Sequence, residues 1–163
     1  MANFDIKDLR NAFGNFATGV CVVAATDIKG NAVGMTINSF SSVSLDPTLV
    51  LWNIKRNTIS YEIFSGIEKF SINILSAAQK DVSSRYATYG DHVMHASDYG
   101  VSERGIPVVN DSLGYFECGF WSSLEAGDHD IIIGNVLHYS SGDYGAPLVF
   151  YKGRYCLLDE VPY

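Results

Sequence analysis

The chain has 163 residues, of which 47% are apolar and 18% charged, enough for one core built without disulfides or metals. A net charge of −7 and a pI near 4.9, with the eleven Lys and Arg scattered along the chain, exclude a polyphosphate-binding face, so nucleic acid is not expected as a partner. The expectation is one domain over residues 1–163. Cys21, Cys118 and Cys156 are odd in number and widely spaced, with no CxxC pair and no Cys/His cluster of metal-ligand form. They read as small buried hydrophobes of a reducing compartment. The first twenty residues carry Asp5 and Asp8 among their apolar positions, and no apolar run approaches a membrane span; a cytoplasmic protein with no membrane partner is expected.

In chain order, Ile6, Leu9, Phe13 and Phe16 recur at helical spacing, predicting a helix over 5–16 closed near Gly19. VCVVAAT at 20–26 predicts a strand buried on both faces, and Asp27 to Asn31, with Gly30, a hairpin turn. The stretch MTINSFSSVSL at 35–45 mixes strand formers with hydroxyl and amide side chains, as in backbone that leaves a sheet to line a site. Asp46 and Pro47 break it, and TLVLWNI at 48–54 resumes as a strand.

Asn57 to Phe64 predicts a short helix, 70–75 a strand, and 77–89 a second helix with Val82, Tyr86 and Tyr89 on one side. Residues 91–107 have no pattern and read as a long loop, so His92 and His95 are expected in solvent. Two long strands, 113–124 and 130–140, meet at a turn over 125–129, and 147–158 supplies the last strand, interrupted at Gly153. About seven strands and three short helices without βαβ alternation predict a mainly β protein, a split or closed antiparallel barrel. No GxGxxG follows a strand, so a dinucleotide would need another binding arrangement.

Two segments carry the chemistry: GMTINSFSSVSLDP at 34–47 and GDHDIIIGNV at 127–136. Backbone N–H groups and short polar side chains at a bend suit the hydrogen-bonding edge of a flat heteroaromatic ring. Lys55 and Arg56, followed by Asn57 and Thr58 at a helix start, suit an anion. His129 sits at a strand mouth, where an imidazole can contact a ligand and still reach solvent.

With FATGVCVV at 16–23 and YKGRY at 151–155, these segments resemble, in order along the chain, the flavin reductases that supply reduced flavin to two-component monooxygenases. The resemblance implies a split β-barrel of the FMN-binding type, a homodimer, and hydride transfer from NADH or NADPH to FMN or FAD, with a flavin-dependent monooxygenase as partner. It implies that Thr36, Asn38, Ser39, Phe40 and Ser44 wrap the isoalloxazine, and that Lys55, Asn57 and Thr58 hold the flavin phosphate. Arg85 and Tyr86 in VSSRYATY match a family element written Arg-Phe-Ala that approaches the same phosphate, with Tyr86 for Phe. His129 of the GDH would help place the nicotinamide, Asp128 would fix the turn or orient His129, and Tyr155 would close near the ring. No metal site is expected. An alternative with the same flavin segment is an electron carrier lacking the nicotinamide site.

Overall fold

The structure, a computed structural model, describes residues 4–88, 90, 92–142 and 145–158. Helix α1 (Ile6–Phe13) starts at Asp5, whose carboxylate accepts from the amides of Lys7 and Asp8 at 2.8 and 3.1 Å. It ends at Phe13, three residues before the expected boundary, and none of its residues is buried. Strands β1 (Thr18–Gly19), β2 (Cys21–Thr26), β3 (Ala32–Ile37), β4 (Ser41–Leu45) and β5 (Thr48–Lys55) follow, then α2 (Ile59–Phe64) and β6 (Lys69–Ile74).

Where a single helix is expected over 77–89, a 3₁₀ turn (Ala77–Gln79) leads into α3 (Lys80–Tyr86); Tyr89 lies outside the described residues. Strands β7 (Tyr99–Val101) and β8 (Pro107–Val109) pair with each other, then come β9 (Gly114–Ala126), β10 (His129–Ser141), β11 (Val149–Tyr151) and β12 (Arg154–Cys156). The segment over 91–107 is therefore not simply a loop. Met94 and Ile106 are buried, at 6% and 3% exposure, and β7 is too short for an alternating pattern to show.

The principal sheet is antiparallel with strand order β3-β2-β6-β9-β10-β5-β4. Its two edge strands, β3 and β4, are neighbours in sequence, separated only by Asn38, Ser39 and Phe40. Edges six ladders apart would stand roughly 29 Å from each other in a flat sheet. The four peptide steps from Ile37 to Ser41 reach at most about 14 Å. The sheet must curl until its edges nearly meet, although no ladder joins β3 to β4 among the described residues.

The curl encloses one core: Val33 and Ile37 of β3 share a cluster with Val50, Trp52 and Ile54 of β5, from the far side of the sheet. Trp52 sits edge-on to Phe64 of α2 and to Phe70 of β6, with ring centroids 6.2 and 5.9 Å apart. Strand β2 is buried on both faces, as its composition predicts. Cys21, Val23 and Ala25 face this core, while Val22 and Ala24 join a second cluster with Leu75, Tyr86, Met94 and Leu148. Burial drives the thiols of Cys21 and Cys118 up to about 12, so both stay protonated hydrophobes, whereas Cys156 is half-buried. Among the described residues no helix is long and apolar enough to cross a membrane.

Candidate active site

The seam between the two sheet edges opens into a cavity of about 770 Å³. One wall is the end of β3 and the connection after it, with Met35, Thr36, Asn38 and Ser39. Opposite stand Asn53 and Lys55 from the end of β5, with Thr58 and Ser60 at the start of α2. Tyr86, Ala87 and Thr88 at the end of α3, His92, and Ala126, His129 and Ile131 of the β9–β10 hairpin complete it, and Phe13 of α1 reaches its rim.

Local hydrogen bonds fix each wall. The Thr36 hydroxyl donates to the Ser83 carbonyl at 2.7 Å, tying β3 to α3, and the Ser39 Oγ accepts from the Asn53 amide at 2.9 Å, bridging the seam where the ladder is missing. Thr58 caps α2 by accepting from the Tyr61 amide at 3.1 Å and donates to the Lys55 carbonyl at 2.8 Å. Residue 57, just before this cap, is an asparagine at φ 58°, a left-handed conformation that Asn tolerates better than most residues.

The β9–β10 hairpin turns in two residues, Gly127 at φ 69° followed by Asp128, as in the tight turns whose first central residue has positive φ. His129 thereby becomes the first residue of β10, directly across the ladder from Lys55 of β5. Its Nδ1 lies 2.8 Å from an oxygen of Asp128. That hydrogen bond, together with the charge of His129 and of Lys55, holds the exposed Asp128 carboxyl below the usual carboxylate range. The Asp128 carbonyl accepts from the Arg56 amide at 2.9 Å, which pins the turn to β5.

The cavity thus unites Thr36, Asn38, Ser39, Lys55, Thr58 and His129 from the sequence-derived set. Tyr155 lines a smaller adjoining bay with Thr36, Asn38 and Ser83, and its hydroxyl is 2.8 Å from that of Ser83. The remaining four lie off the wall, each with other contacts. Phe40 stacks on Phe116 at 5.7 Å between centroids and packs against the core. Ser44 accepts from the Asp46 amide at 3.2 Å, and Asn57 is exposed in its turn. Arg85 forms an ion pair with Asp98. Arg56, also a candidate for an anion, is paired with Glu125 and lies 3.5 Å from Asp130.

Sequence reasoning missed His92, Ser60 and Asn53. His92 is not in solvent: it is 9% exposed, its Nε2 is 2.7 Å from the Ser60 Oγ and its Nδ1 is 3.2 Å from the Gly34 carbonyl. Only His95, which is exposed, fits the solvated reading. No periodic pattern surrounds His92, and its contacts join segments far apart in the chain, so no local signal could have found it.

Among the described residues no Asp or Glu lines this cavity, although the chain carries a net charge of −7; their ionisable lining is Lys55, His92, His129 and Tyr86. Burial first, and then the hydrogen bond to Asp98, raise the Tyr86 phenol to about 12, so it stays neutral. The wall accordingly favours an anion. Apolar Met35, Ile54 and Ile131 offer flat contact, and Asn38 and Asn53 offer amides. The volume and this donor set fit a flavin and a nicotinamide ring. No cluster of three or more metal-ligating side chains occurs among the described residues.

Comparison with known proteins agrees with this geometry. The family described as the flavin reductase like domain matches residues 13–159. The chain belongs to that family. It is 42% identical over 149 residues to an FMN reductase (NADH) of Agrobacterium fabrum, covering 91% of this chain and 84% of the relative. With the reductase component of a flavin-dependent trigonelline monooxygenase of Acinetobacter baylyi it shares 40% identity over 150 residues, or 92% of this chain and 48% of the relative. The solved NADH:FAD oxidoreductase of Streptomyces globisporus superposes with a TM-score of 0.88 at 29% identity, over 99% of each chain. The chain spans about half the length of some relatives: a Rhizobium meliloti protein 43% identical over 154 residues is covered to 50%.

Asp98 secures the α3 wall, accepting from Tyr86 at 2.6 Å as well as from Arg85. Burial alone would raise its carboxyl; donors from Tyr86, Arg85 and Ser97 outweigh that and hold it below the usual range. Its contribution to stability is therefore complete above the unfolded value of about 4 and is lost as pH falls through the lower folded value. Asp98→Asn should cost about 1–3 kcal/mol at neutral pH in chemical denaturation. The gap from wild type should narrow below about pH 4; a gap independent of pH would refute the assignment.

Proposed function

We propose that the chain is an NAD(P)H:flavin oxidoreductase of a single domain, which transfers hydride from NADH or NADPH to FMN or FAD and supplies reduced flavin to a separate flavin-dependent monooxygenase. The observation that carries this is a cavity lined, among the described residues, by Lys55 and two histidines and by no carboxylate, built at the seam of a curled sheet by segments of the flavin reductase like domain. The relatives' names, as FMN reductase (NADH) and as a monooxygenase's reductase component, support the reductant and the partner.

In this reading Thr36, Asn38 and Ser39 present the bend after β3 to the isoalloxazine edge, and Lys55 and Thr58 lie toward the flavin phosphate. Phe40, Ser44, Asn57 and Arg85 act one step back, through packing, turn bonds and the ion pair that hold the walls. Tyr155 closes the side bay. A bound flavin and nicotinamide supply the redox chemistry themselves. The protein has only to hold two flat rings in contact, a positioning task that needs no nucleophile or paired carboxylates. His129, at the hairpin mouth and half exposed, positions the nicotinamide, with Asp128 fixing its ring through Nδ1. The three unpaired cysteines suit a reducing cytoplasm.

A homodimer also belongs to this reading. Edge strand β4 exposes Val43 and Leu45, and the outer half of β9 exposes Phe120, Trp121 and Leu124. An unpaired edge beside exposed large apolar side chains suits a second copy of the chain. Sedimentation at micromolar concentration should give twice the monomer mass, and an active monomer would refute the dimer.

The functional test is steady-state flavin reduction by His129→Ala at varied NADH or NADPH. If His129 places the nicotinamide, kcat/KM falls by about 1–3 kcal/mol, mainly through KM, with flavin affinity and melting temperature near wild type. Unchanged kinetics would remove His129 from the site.

A further inference from the structure

We infer that His92 and Ser60 couple the binding of the flavin's phosphate to the uptake of one proton, His92 acting as a positioning residue through the Ser60 hydroxyl. The inference rests on the flavin reading above. It begins from the direction of two hydrogen bonds. The Gly34 carbonyl can only accept, so the His92 Nδ1, 3.2 Å away, carries a hydrogen. In the neutral ring Nε2 is then a bare acceptor, and at 2.7 Å the Ser60 hydroxyl must spend its one proton on it. Ser60 then turns only lone pairs toward the cavity, which repels an anionic oxygen.

In the imidazolium the same pair reverses. Nε2–H donates to the Ser60 Oγ, and the hydroxyl proton is released to point at the ligand. A phosphate oxygen accepting from Ser60 therefore selects protonated His92, and binding to the protein with a neutral ring must draw a proton from solvent. The one covalent change is the N–H bond formed at Nε2 with the proton that solvent gives up; the rest is exchange of hydrogen bonds.

The ring has no freedom to evade this arrangement. His92 is held at φ 58°, an uncommon backbone conformation for a residue with a side chain, and its carbonyl accepts from the Gly34 amide at 2.8 Å. Residue 34 thus grips residue 92 by both backbone and ring. Phe64 of α2 meets the imidazole edge-on at 6.2 Å, closing the side away from the cavity. Among the described residues the other ionisable groups on the cavity wall are Lys55 from β5, His129 from β10 and Tyr86 from α3. Burial and the hydrogen bond to Asp98 keep the Tyr86 phenol neutral. His129, across the ladder from Lys55, has the Asp128 carboxylate as its partner and no hydroxyl. His92 is thus the imidazole whose proton is tied to a hydroxyl on the wall that carries Lys55.

The test is calorimetric titration of the intact protein with FMN, with FAD and with riboflavin, which lacks the phosphate, in buffers of differing ionisation enthalpy between about pH 6 and pH 9. The expected result is uptake approaching one proton for FMN or FAD at the alkaline end, with affinity falling up to about tenfold per pH unit there. Riboflavin should bind with neither effect. His92→Asn and, should that variant misfold, Ser60→Ala should both abolish the proton uptake and bring nucleotide affinity toward that of riboflavin. Flavin binding without proton uptake, or equal uptake with riboflavin, would overturn the coupling and leave the flavin site standing. Uptake that persists in a folded His92→Asn protein would assign it to another group and also overturn it. No binding of any flavin would overturn both.

Discussion

Three residues, Asn38 to Phe40, join the two outer edges of a seven-stranded sheet, and the rest of the structure depends on that short connection. It forces the sheet to curl, and the curl creates the shared core of β3 and β5. It also leaves a seam, because the connecting backbone crosses between edges instead of pairing along them. At that seam a side chain replaces the ladder: the Ser39 Oγ takes the Asn53 amide. Backbone and short polar groups are thereby displayed beside apolar Met35 and Ile54, a surface that a flat, polar-edged ring can use.

Around the seam, the walls are held by hydrogen bonds and ion pairs between elements. Thr36 is tied to α3 through the Ser83 carbonyl, Ser83 to β12 through Tyr155, and α3 to the 98 region through Tyr86, Arg85 and Asp98. Arg56 meets Glu125 and Asp130, and Tyr61 donates to Asp130 at 2.8 Å, linking α2 and β5 to the β9–β10 hairpin. These ionic groups lie outside the cavity. Among the described residues Lys55 is the one Lys or Arg on its lining, so the basic side chain there stands apart from the acidic groups that give the chain its net charge of −7.

Much of this was legible in the sequence where the physics is local. VCVVAAT announces a strand buried on both sides and TLVLWNI a core strand, whereas of 35–45, read as backbone that leaves its sheet, only Asn38 to Phe40 do so, the rest belonging to edge strands β3 and β4. The β9–β10 turn was legible in place but not in length: it is expected over 125–129, and the strands pair on through Ala126 and His129, leaving Gly127 and Asp128 as a two-residue turn with the glycine at positive φ. What could not be read depends on distant partners. The sequence does not show that Arg85 pairs with Asp98 or that Phe40 stacks on Phe116, since both partners come from distant segments. His92 lies in the segment with least pattern, and only the fold brings Gly34 and Ser60 to its two nitrogens. The apolar stripe of α1 gave a correct helix, yet Ile6 and Phe13 remain 62% and 68% exposed, since periodicity reports a face and not what covers it.

The central claim is that the seam around Ser39 holds the flavin in contact with the nicotinamide. It is tested most directly by anaerobic stopped-flow absorbance of the wild type and of Ser39→Tyr, each mixed with flavin and then with NADH or NADPH. The account predicts rapid bleaching of the oxidised flavin band in the wild type. In a Ser39→Tyr protein that is still folded, weakened flavin binding should make that bleaching slow. Equal flavin affinity and equal bleaching in the two proteins would place the ring elsewhere, and no bleaching of the wild type by either nicotinamide would contradict the reductase itself.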